Sequence, residues 1–212
     1  MDDILDIIKH AKASTDNESM IPRMGACLRP VRVCVDDAKQ MARWRTETYQ
    51  SFLTWIRPDT GEMLRWLSEI NKRDNDIIFI IELNSGALAG QLSLYNVNTS
   101  IKEAEFGRLL RNSEICCKGI MTGACKTALK WAFGHLGLEK IFLEVFADND
   151  RAVRLYERVG FQVDREISVW KEKGDDGVVR WSKSKTEGVY GGVLSDCRQL
   201  YRMLLAKSEF CG

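Results

Sequence analysis

A strand, a loop and the start of a helix follow one another between Glu105 and Gly119, an arrangement that suits the binding of an anion. Glu105–Leu110 has the strand pattern, and the loop after it contains Arg111 and Lys118. Backbone N–H groups in the first turn of a helix lack helical partners, and the helix dipole adds positive charge at the same end. The segment therefore predicts a site for a phosphate or pyrophosphate, while an ordinary loop would give the same pattern.

The remaining reactive residue types exclude several other chemistries. The only histidines are His10 and His135, which leaves a serine or cysteine hydrolase few general bases and excludes a histidine-rich metal site. The seven cysteines contain no CxxC pair, so their spacing fits neither a disulfide framework nor a zinc ribbon. The residues after Met1 are acidic, unlike those of a signal peptide. We therefore expect a cytoplasmic protein without a bound metal.

Length and charge limit the domain organisation and the partners. A chain of 212 residues fits one enlarged domain, which we predict at 27–212 behind an N-terminal appendage at 1–26. The 31 basic and 30 acidic side chains leave a formal net charge of +1, which provides no global field for DNA or RNA. No apolar run reaches the length of a membrane span. We expect a monomer or homodimer that contacts neither nucleic acid nor membrane.

The first half of the chain predicts two helices and several strands. A strand at Cys27–Val35 precedes a helix that we expect Asp36 and Asp37 to cap. A second helix follows the turn at Pro58–Gly61, with apolar residues at helical spacing. The later strands are a hairpin and one further strand, at Ile77–Leu83, Leu88–Tyr95 and Glu103–Leu110.

The second half alternates helices and strands. Helices are predicted at Lys118–Leu136 and Asn149–Val159, and strands at Ile141–Ala147, Phe161–Lys171 and Arg198–Leu205. A glycine-rich connection at Gly174–Gly192 separates the last two strands. Hairpins around a strand–helix–strand unit predict an α/β (α+β) fold, a mixed, mostly antiparallel sheet with a central parallel pair, flanked by helices.

The residues Asn149–Phe161 read N-x-x-A-x-x-x-Y-x-x-x-G-F. This segment resembles the signature of the GNAT superfamily of acyl-CoA-dependent N-acetyltransferases, and Ala104–Phe161 as a whole resembles the core of that superfamily. Upstream, Leu28–Pro30 and Asp36–Ala38 resemble the subgroup that contains ribosomal-protein N-terminal and nucleotide-linked amino-sugar acetyltransferases. The resemblance covers about residues 27 to 207 and implies the GNAT fold.

The resemblance implies that an amine attacks the thioester of acetyl-CoA directly, without a covalent acyl-enzyme. It also implies the residues that hold this co-substrate. Strand residues would pair with the pantetheine arm, backbone amides before and within the first turn of a helix would bind the pyrophosphate, and an asparagine would reach the cofactor arm. In this sequence they are Leu109 and Leu110 for the arm, Cys117, Lys118, Gly119, Ile120, Met121 and Thr122 for the pyrophosphate, and Asn149.

Three catalytic tasks are implied by the same resemblance. The backbone N–H of Leu109 or Leu110 would stabilise the oxyanion, a contribution of roughly 3 to 4 kcal/mol for one donor. Tyr156 matches the family tyrosine that protonates the departing thiolate of coenzyme A. Glu105 is the candidate general base, and a solvated strand glutamate is the alternative interpretation.

One segment departs from the family pattern. Where the family has Q/R-x-x-G-x-G/A, this chain has Cys116–Met121, in which only Gly119 matches. The side chain of Met121 would hinder a bound pyrophosphate unless it turned into the core. We expect Cys116 and Cys117 to be small packing residues, and a reactive pair of cysteines is the alternative interpretation.

Aromatic and basic residues in the first helices and their loops would determine the specificity for the acceptor. Trp44, Arg45, Tyr49 and Trp55 could form an aromatic and basic wall that suits a nucleotide-linked amino sugar, although amphipathic helices also use tryptophan for core packing. The predicted partner is therefore a small-molecule amine. The alternatives are acetylation of a protein N-terminus, of the ribosomal-protein type, and a non-catalytic module that binds acyl-CoA.

Overall fold

The structure is a computed structural model that describes residues 3–13, 19–183 and 196–211. The helices are α1 (Ile4–Ala13), α2 (Val35–Thr48), α3 (Thr60–Asn71), α4 (Ile120–Gly134) and α5 (Asp150–Val159). The strands are β1 (Ser19–Ile21), β2 (Ala26–Pro30), β3 (Thr54–Trp55), β4 (Ile77–Leu83), β5 (Leu88–Asn98), β6 (Glu103–Arg111), β7 (Lys140–Phe146), β8 (Gln162–Lys173), β9 (Val179–Ser182) and β10 (Cys197–Ala206). None of the helices in the described ranges is long and apolar enough to cross a membrane.

All ten of these strands belong to one sheet, in the order β1-β2-β4-β5-β6-β7-β10-β8-β9-β3. Neighbouring strands are antiparallel except β6 and β7, which are parallel. Parallel neighbours need a crossover connection, which α4 supplies. The structure confirms the predicted mixed, mostly antiparallel sheet with a central parallel pair and flanking helices.

At strand β4 the sheet is covered on both faces. Ile77, Phe79 and Ile81 pack in one apolar cluster with residues of α1, α4 and α5, which we call the first core. Ile78 and Ile80 pack in a second core with residues of α2 and α3. Successive side chains of a strand point to opposite faces, so a strand covered on both faces is apolar throughout.

The parallel strands stay together over a short distance only. Their register runs from the pair Glu103–Lys140 to the pair Glu105–Phe142. Beyond this point β6 continues beside β5 as far as Arg111, while β7 continues beside β10. The sheet therefore opens into a gap between β6 and β7, with one edge of each strand facing the gap.

Helix α1 packs against the rest of the molecule. Ile8 and Ala11 are buried in the first core, and the Lys12 ammonium donates to the backbone carbonyls of Asn71 and Arg73, at 3.3 and 2.5 Å. The predicted division into 1–26 and 27–212 stays a prediction. Residues 1, 2 and 14–18 of the predicted appendage lie outside the described residues.

The first predicted strand and helix cap are both corrected by the structure. Strand β2 ends at Pro30, and α2 begins at Val35 with Cys34 as its N-cap. Asp37 lies inside the first turn, where its carboxylate accepts from the backbone N–H of Arg32 at 2.8 Å and from the buried guanidinium of Arg29. These bonds turn the chain before a strand as long as Cys27–Val35 could form.

The predicted connection Gly174–Gly192 contains a strand. After β8 the chain turns at Gly174–Val178 and returns as β9. In this turn the Gly174 N–H donates to the Val178 carbonyl at 2.9 Å. Residues 184–192 of the predicted connection lie outside the described residues. The strand was missed because β9 has four residues, and its far partner β3 has two.

Candidate active site

A cavity of about 850 Å³ lies where β6 and β7 separate, covered by the segment Ser51–Pro58 between α2 and α3. Seven residues with a predicted chemical role line this cavity, and they come from four elements. They are Glu105, Leu109 and Leu110 of β6, Asn149 and Tyr156 of α5 and its cap, Arg45 of α2 and Trp55 of β3. The cavity therefore brings together both predicted catalytic residues and part of each predicted binding set.

Strand β6 carries a one-residue bulge beside the cavity. Gly107 lies opposite Ser93, but Leu110 lies opposite Gln91, so one extra residue stands on β6. The extra length is taken up at Arg108, whose φ of 50° is in the left-handed region. As a result, Arg108 and Leu109 have no partner residue on β5.

Two buried side chains hold this bulge. The Gln91 side-chain amide donates to the Arg108 carbonyl at 3.1 Å, and the Arg108 guanidinium makes a bidentate ion pair with Asp76 at 2.7 and 2.9 Å. Gln91 and Asp76 are 3% and 2% exposed. Breaking such a buried pair is costly, so the strained residue and the Leu109 amide after it are held in place.

The Glu105 carboxylate is held by two neutral donors. The Tyr95 hydroxyl donates to Oε1 at 2.7 Å, and the Asn96 amide donates to Oε2 at 2.9 Å. No lysine or arginine of the described ranges forms an ion pair with it. Burial, followed by the charge of Glu105, raises the pKa of Tyr95 far above its ordinary value, so the hydroxyl remains a donor.

Local sequence explains why α5 presents Tyr156 to the cavity. The Asn149 side chain caps the helix by accepting from the Ala152 N–H at 3.3 Å, and Gly160 ends it with a φ of 115°. Tyr156 is 5% exposed and lies edge-on to Phe161, with ring centroids 6.0 Å apart. Its hydroxyl has no hydrogen-bond partner among the described residues. Burial raises the pKa of Tyr156 well above the usual tyrosine range.

The N-terminus of α4 lies outside the cavity lining, so the predicted pyrophosphate residues are not part of it. Gly119 is the N-cap, with a φ of 86° and no side-chain hydrogen bond to the first turn. The N–H groups of Met121 and Thr122 accordingly lack partners in the described chain. The Met121 side chain packs against the first core, the orientation that leaves these amides accessible to a ligand.

The other residues of this loop differ in exposure. Lys118 is exposed, Cys117 packs against the first core, and Ile120 is buried within it. Cys116 is exposed, so the prediction of two packing cysteines holds for Cys117 only. No group of three or more possible metal ligands occurs among the described residues.

Of the four residues predicted to form an acceptor-binding wall, Arg45 and Trp55 line the cavity and Trp44 and Tyr49 do not. Trp44 is fully buried in the second core and does not line the cavity, because it lies on the face of α2 that packs on the sheet. The Arg45 guanidinium donates to the Thr54 carbonyl at 2.6 Å and lies 3.6 Å from the centre of the Phe52 ring. Burial lowers the pKa of Arg45 to about 10, which leaves it charged at neutral pH. Arg45 therefore holds the covering segment in place.

Tyr49 and Trp55 support the same segment. Tyr49 does not line the cavity. Its ring lies edge-on to Trp55, with centroids 5.9 Å apart, and the Arg57 guanidinium lies over it at 4.0 Å. Trp55 itself lines the cavity and belongs to β3, which pairs with β9. Trp66, 37% exposed, adds a further aromatic surface.

Sequence reasoning missed the residues that hold the chemical groups: Gln91, Tyr95, Asn96, Gly107 and Arg108. Each acts through a neighbour on another strand, and the pairing register of β5 with β6 cannot be read from one strand alone. The available signal was the Glu105-Phe106-Gly107 run, because a glycine inside a strand often marks a close approach.

A family comparison identifies the class of protein that has this fold and this cavity. The family model described as "Acetyltransferase (GNAT) domain" matches residues 26–162, more than half of the chain. The chain belongs to the GNAT acetyltransferase family, and it is an N-acetyltransferase that uses acetyl-CoA as its co-substrate.

The chain is also similar to individual acetyltransferases of known name or structure. The chain is 29% identical to the spermidine N(1)-acetyltransferase of Escherichia coli K12 over 66% of this chain and 70% of that protein. It is 33% identical to a Bacillus subtilis protein named "Putative ribosomal N-acetyltransferase YdaF", over 63% of this chain and 70% of that protein. A crystal structure of spermidine N-acetyltransferase from Vibrio cholerae in complex with CoA and spermine has a TM-score of 0.69 at 20% identity, over 89% of this chain and 99% of that chain. This last similarity concerns the fold.

Proposed function

We propose that this enzyme acetylates a primary amine of a small, positively charged acceptor of the polyamine class. The observation that carries the proposal is the Glu105 carboxylate, which lines the cavity and has only neutral hydrogen-bond partners among the described residues. A carboxylate without a cationic partner attracts an ammonium ion. The name of the E. coli relative gives spermidine as its substrate, which supports the same class.

Glu105 would both bind the acceptor and take its proton. An alkyl amine has a pKa near that of lysine, about 10.4, so almost all of it is protonated and unreactive at neutral pH. An α-amine, with a pKa of about 7.7 to 8.0, needs such help less. The Glu105 carboxylate would accept the proton directly or through one water, leaving the nitrogen lone pair to attack the thioester carbon.

Two further groups would complete the reaction. The backbone N–H of Leu109, or of Leu110 beside it, would donate to the thioester oxygen as that oxygen becomes negative. Tyr156 would give its hydroxyl proton to the coenzyme A thiolate as the carbon–sulfur bond breaks. The nitrogen loses two protons on the way from ammonium ion to amide. Glu105 takes the first before attack, and the second leaves after attack and replaces the proton that Tyr156 gave to the thiolate, so the products are the amide, coenzyme A and one proton, held by Glu105 until it is released.

The groups expected to hold acetyl-CoA fit a pyrophosphate and an extended amide chain. The N–H groups of Met121 and Thr122 would bind the pyrophosphate, with the exposed Lys118 adding positive charge. Cys117 and Ile120 could contribute backbone groups only, because their side chains pack in or against the core. The open edge of β6 at Leu109 and Leu110 would pair with the pantetheine amides, and Asn149 would contact the cofactor arm.

A nucleotide-linked amino sugar is the second candidate acceptor. It is favoured by Trp55, Trp66 and Arg57, which line the cavity and suit a base and a diphosphate. Two other guanidiniums at the cavity, those of Arg108 and Arg45, are less suited to bind a diphosphate because each already has a partner. Arg108 is neutralised by Asp76, and Arg45 is bonded to a backbone carbonyl.

A thiol-release assay with acetyl-CoA and a panel of amines tests the acceptor. The panel contains spermidine, spermine, nucleotide-linked amino sugars, peptides with a free N-terminus and aminoglycosides. We expect the highest kcat/KM with a polyamine, and we expect Glu105→Gln to lower that value by about 10²-fold or more, the contribution typical of a general base. Turnover of an amino-sugar nucleotide or a peptide in preference to every polyamine would refute the proposed acceptor.

A further inference from the structure

Tyr95 and Glu105 form a cross-strand pair. They are direct partners in the register of β5 and β6, and their side chains meet at 2.7 Å between the Tyr95 hydroxyl and Oε1. Asn96, with a left-handed φ of 52°, donates to the other carboxylate oxygen at 2.9 Å. Each oxygen of Glu105 therefore has one donor, which fixes the plane of the carboxylate.

Gly107 provides the space for this contact. A Cβ atom on Gly107 would lie 3.1 Å from the Tyr95 hydroxyl oxygen, closer than Cβ atoms normally approach, and 3.5 Å from the ring, which is an ordinary contact. The backbone of Gly107 is not in the left-handed region, so its conformation does not require glycine. The constraint comes from the Tyr95 hydroxyl, which would have to shift by a few tenths of an ångström to make room for a side chain on residue 107.

The face of the Tyr95 ring is also fixed. The Arg108 guanidinium lies over it at 4.1 Å and is itself held by the buried carboxylate of Asp76. This ion pair is the one that holds the bulge, so the ring and the proposed oxyanion donor share one support. The charged or titratable groups around the hydroxyl are Glu105, Arg108 and Tyr156, and its raised pKa keeps it a donor rather than a base.

We propose that Tyr95 is a positioning residue for acetyl transfer: its hydroxyl, together with the Asn96 amide, aims the Glu105 carboxylate at the acceptor amine, and Gly107 is the residue that permits this contact. The inference rests on the proposed role of Glu105. Tyr95 would therefore influence the reaction of the acceptor amine only through its contact with Glu105.

A double-mutant cycle tests this dependence. A hydrogen bond to a charged group contributes about 1.5 to 3 kcal/mol, so we expect Tyr95→Phe to lower kcat/KM for the amine roughly 10- to 100-fold. The KM for acetyl-CoA should stay within about twofold. In a Glu105→Ala background, Tyr95→Phe should change kcat/KM by less than about threefold, because the partner is already absent. Tyr201→Phe, on β10 and outside the cavity lining, is the matched control.

A second variant reaches the same contact from the other strand. Gly107→Ala should reproduce the loss seen with Tyr95→Phe, and combining the two substitutions should cost little more than either alone. An equal loss from Tyr95→Phe with and without the Glu105 side chain would overturn the inference, and so would wild-type kinetics of Tyr95→Phe. Wild-type kinetics of Glu105→Gln would remove the proposed function and this inference together, whereas an impaired Glu105→Gln beside an unimpaired Tyr95→Phe removes the inference only.

Discussion

Replacement of Tyr156 by phenylalanine separates chemistry from stability in this enzyme. The hydroxyl has no hydrogen-bond partner among the described residues, and the ring contact with Phe161 would be kept. We therefore expect Tyr156→Phe to change the free energy of unfolding by no more than about 0.5 kcal/mol. A general acid typically raises a rate by 10²- to 10⁴-fold. A thiolate whose thiol has a pKa of about 8.5 is a good leaving group, so we expect the contribution of the acid to lie at the lower end of that range. The expected loss in the chemical step is about 100-fold, or about 2.7 kcal/mol.

Single-turnover measurements with saturating acetyl-CoA and amine report this step directly. Because burial raises the pKa of Tyr156, the folded protein keeps the acid protonated as the pH rises through about 10, the ordinary tyrosine value. The wild-type rate should show no descending limb from this group up to that pH. A wild-type single-turnover rate in Tyr156→Phe would refute the assignment. A fall of several degrees in melting temperature would instead attribute any loss to structure.

Two further substitutions, with Gly134→Ala as a control, test the framework of the fold. Gly90→Ala would place a Cβ atom 2.4 Å from the Leu110 carbonyl oxygen, so we expect loss of stability and of single-turnover rate together. Gly134→Ala, with no atom within 4 Å, should leave both unchanged or add about 0.5 to 1 kcal/mol of stability. Asp37→Ala would leave the buried guanidinium of Arg29 without its bidentate partner, at a cost of about 3 kcal/mol in urea unfolding. A Gly90→Ala protein as stable as Gly134→Ala, or an Asp37→Ala protein with an unchanged urea midpoint, would contradict these expectations.

The parts of the site that local sequence determines were predictable. Helix α5 is one such part, because a capping asparagine, a terminating glycine and an apolar stripe all lie within thirteen residues of one another. The hairpin of β4 and β5 is another, since its turn residues lie between two strand patterns. The parallel pair of β6 and β7 followed from a helix placed between two strands.

The parts that depend on contacts between distant segments were not predictable. Trp44 and Arg45 are adjacent in the sequence, yet one is core and the other borders the cavity, because the face of α2 that packs is fixed by the sheet. The bulge at Arg108 depends on Asp76, which is 32 positions away. The hydrophobic periodicity of the sequence predicts neither the packed face of α2 nor the pairing of Arg108 with Asp76.

Strand β10 has a consequence for biosynthesis. It is the last of the ten described strands to be synthesised, yet it lies between β7 and β8, with Met203 and Leu205 in the first core. Until residue 206 leaves the ribosome, the edges of β7 and β8 have no partner between them and could pair with other chains. The half of the sheet that carries Tyr156 on its flanking helix thus assembles only after β10 has been translated. Shortened products ending before β10 are expected to aggregate and to lack activity.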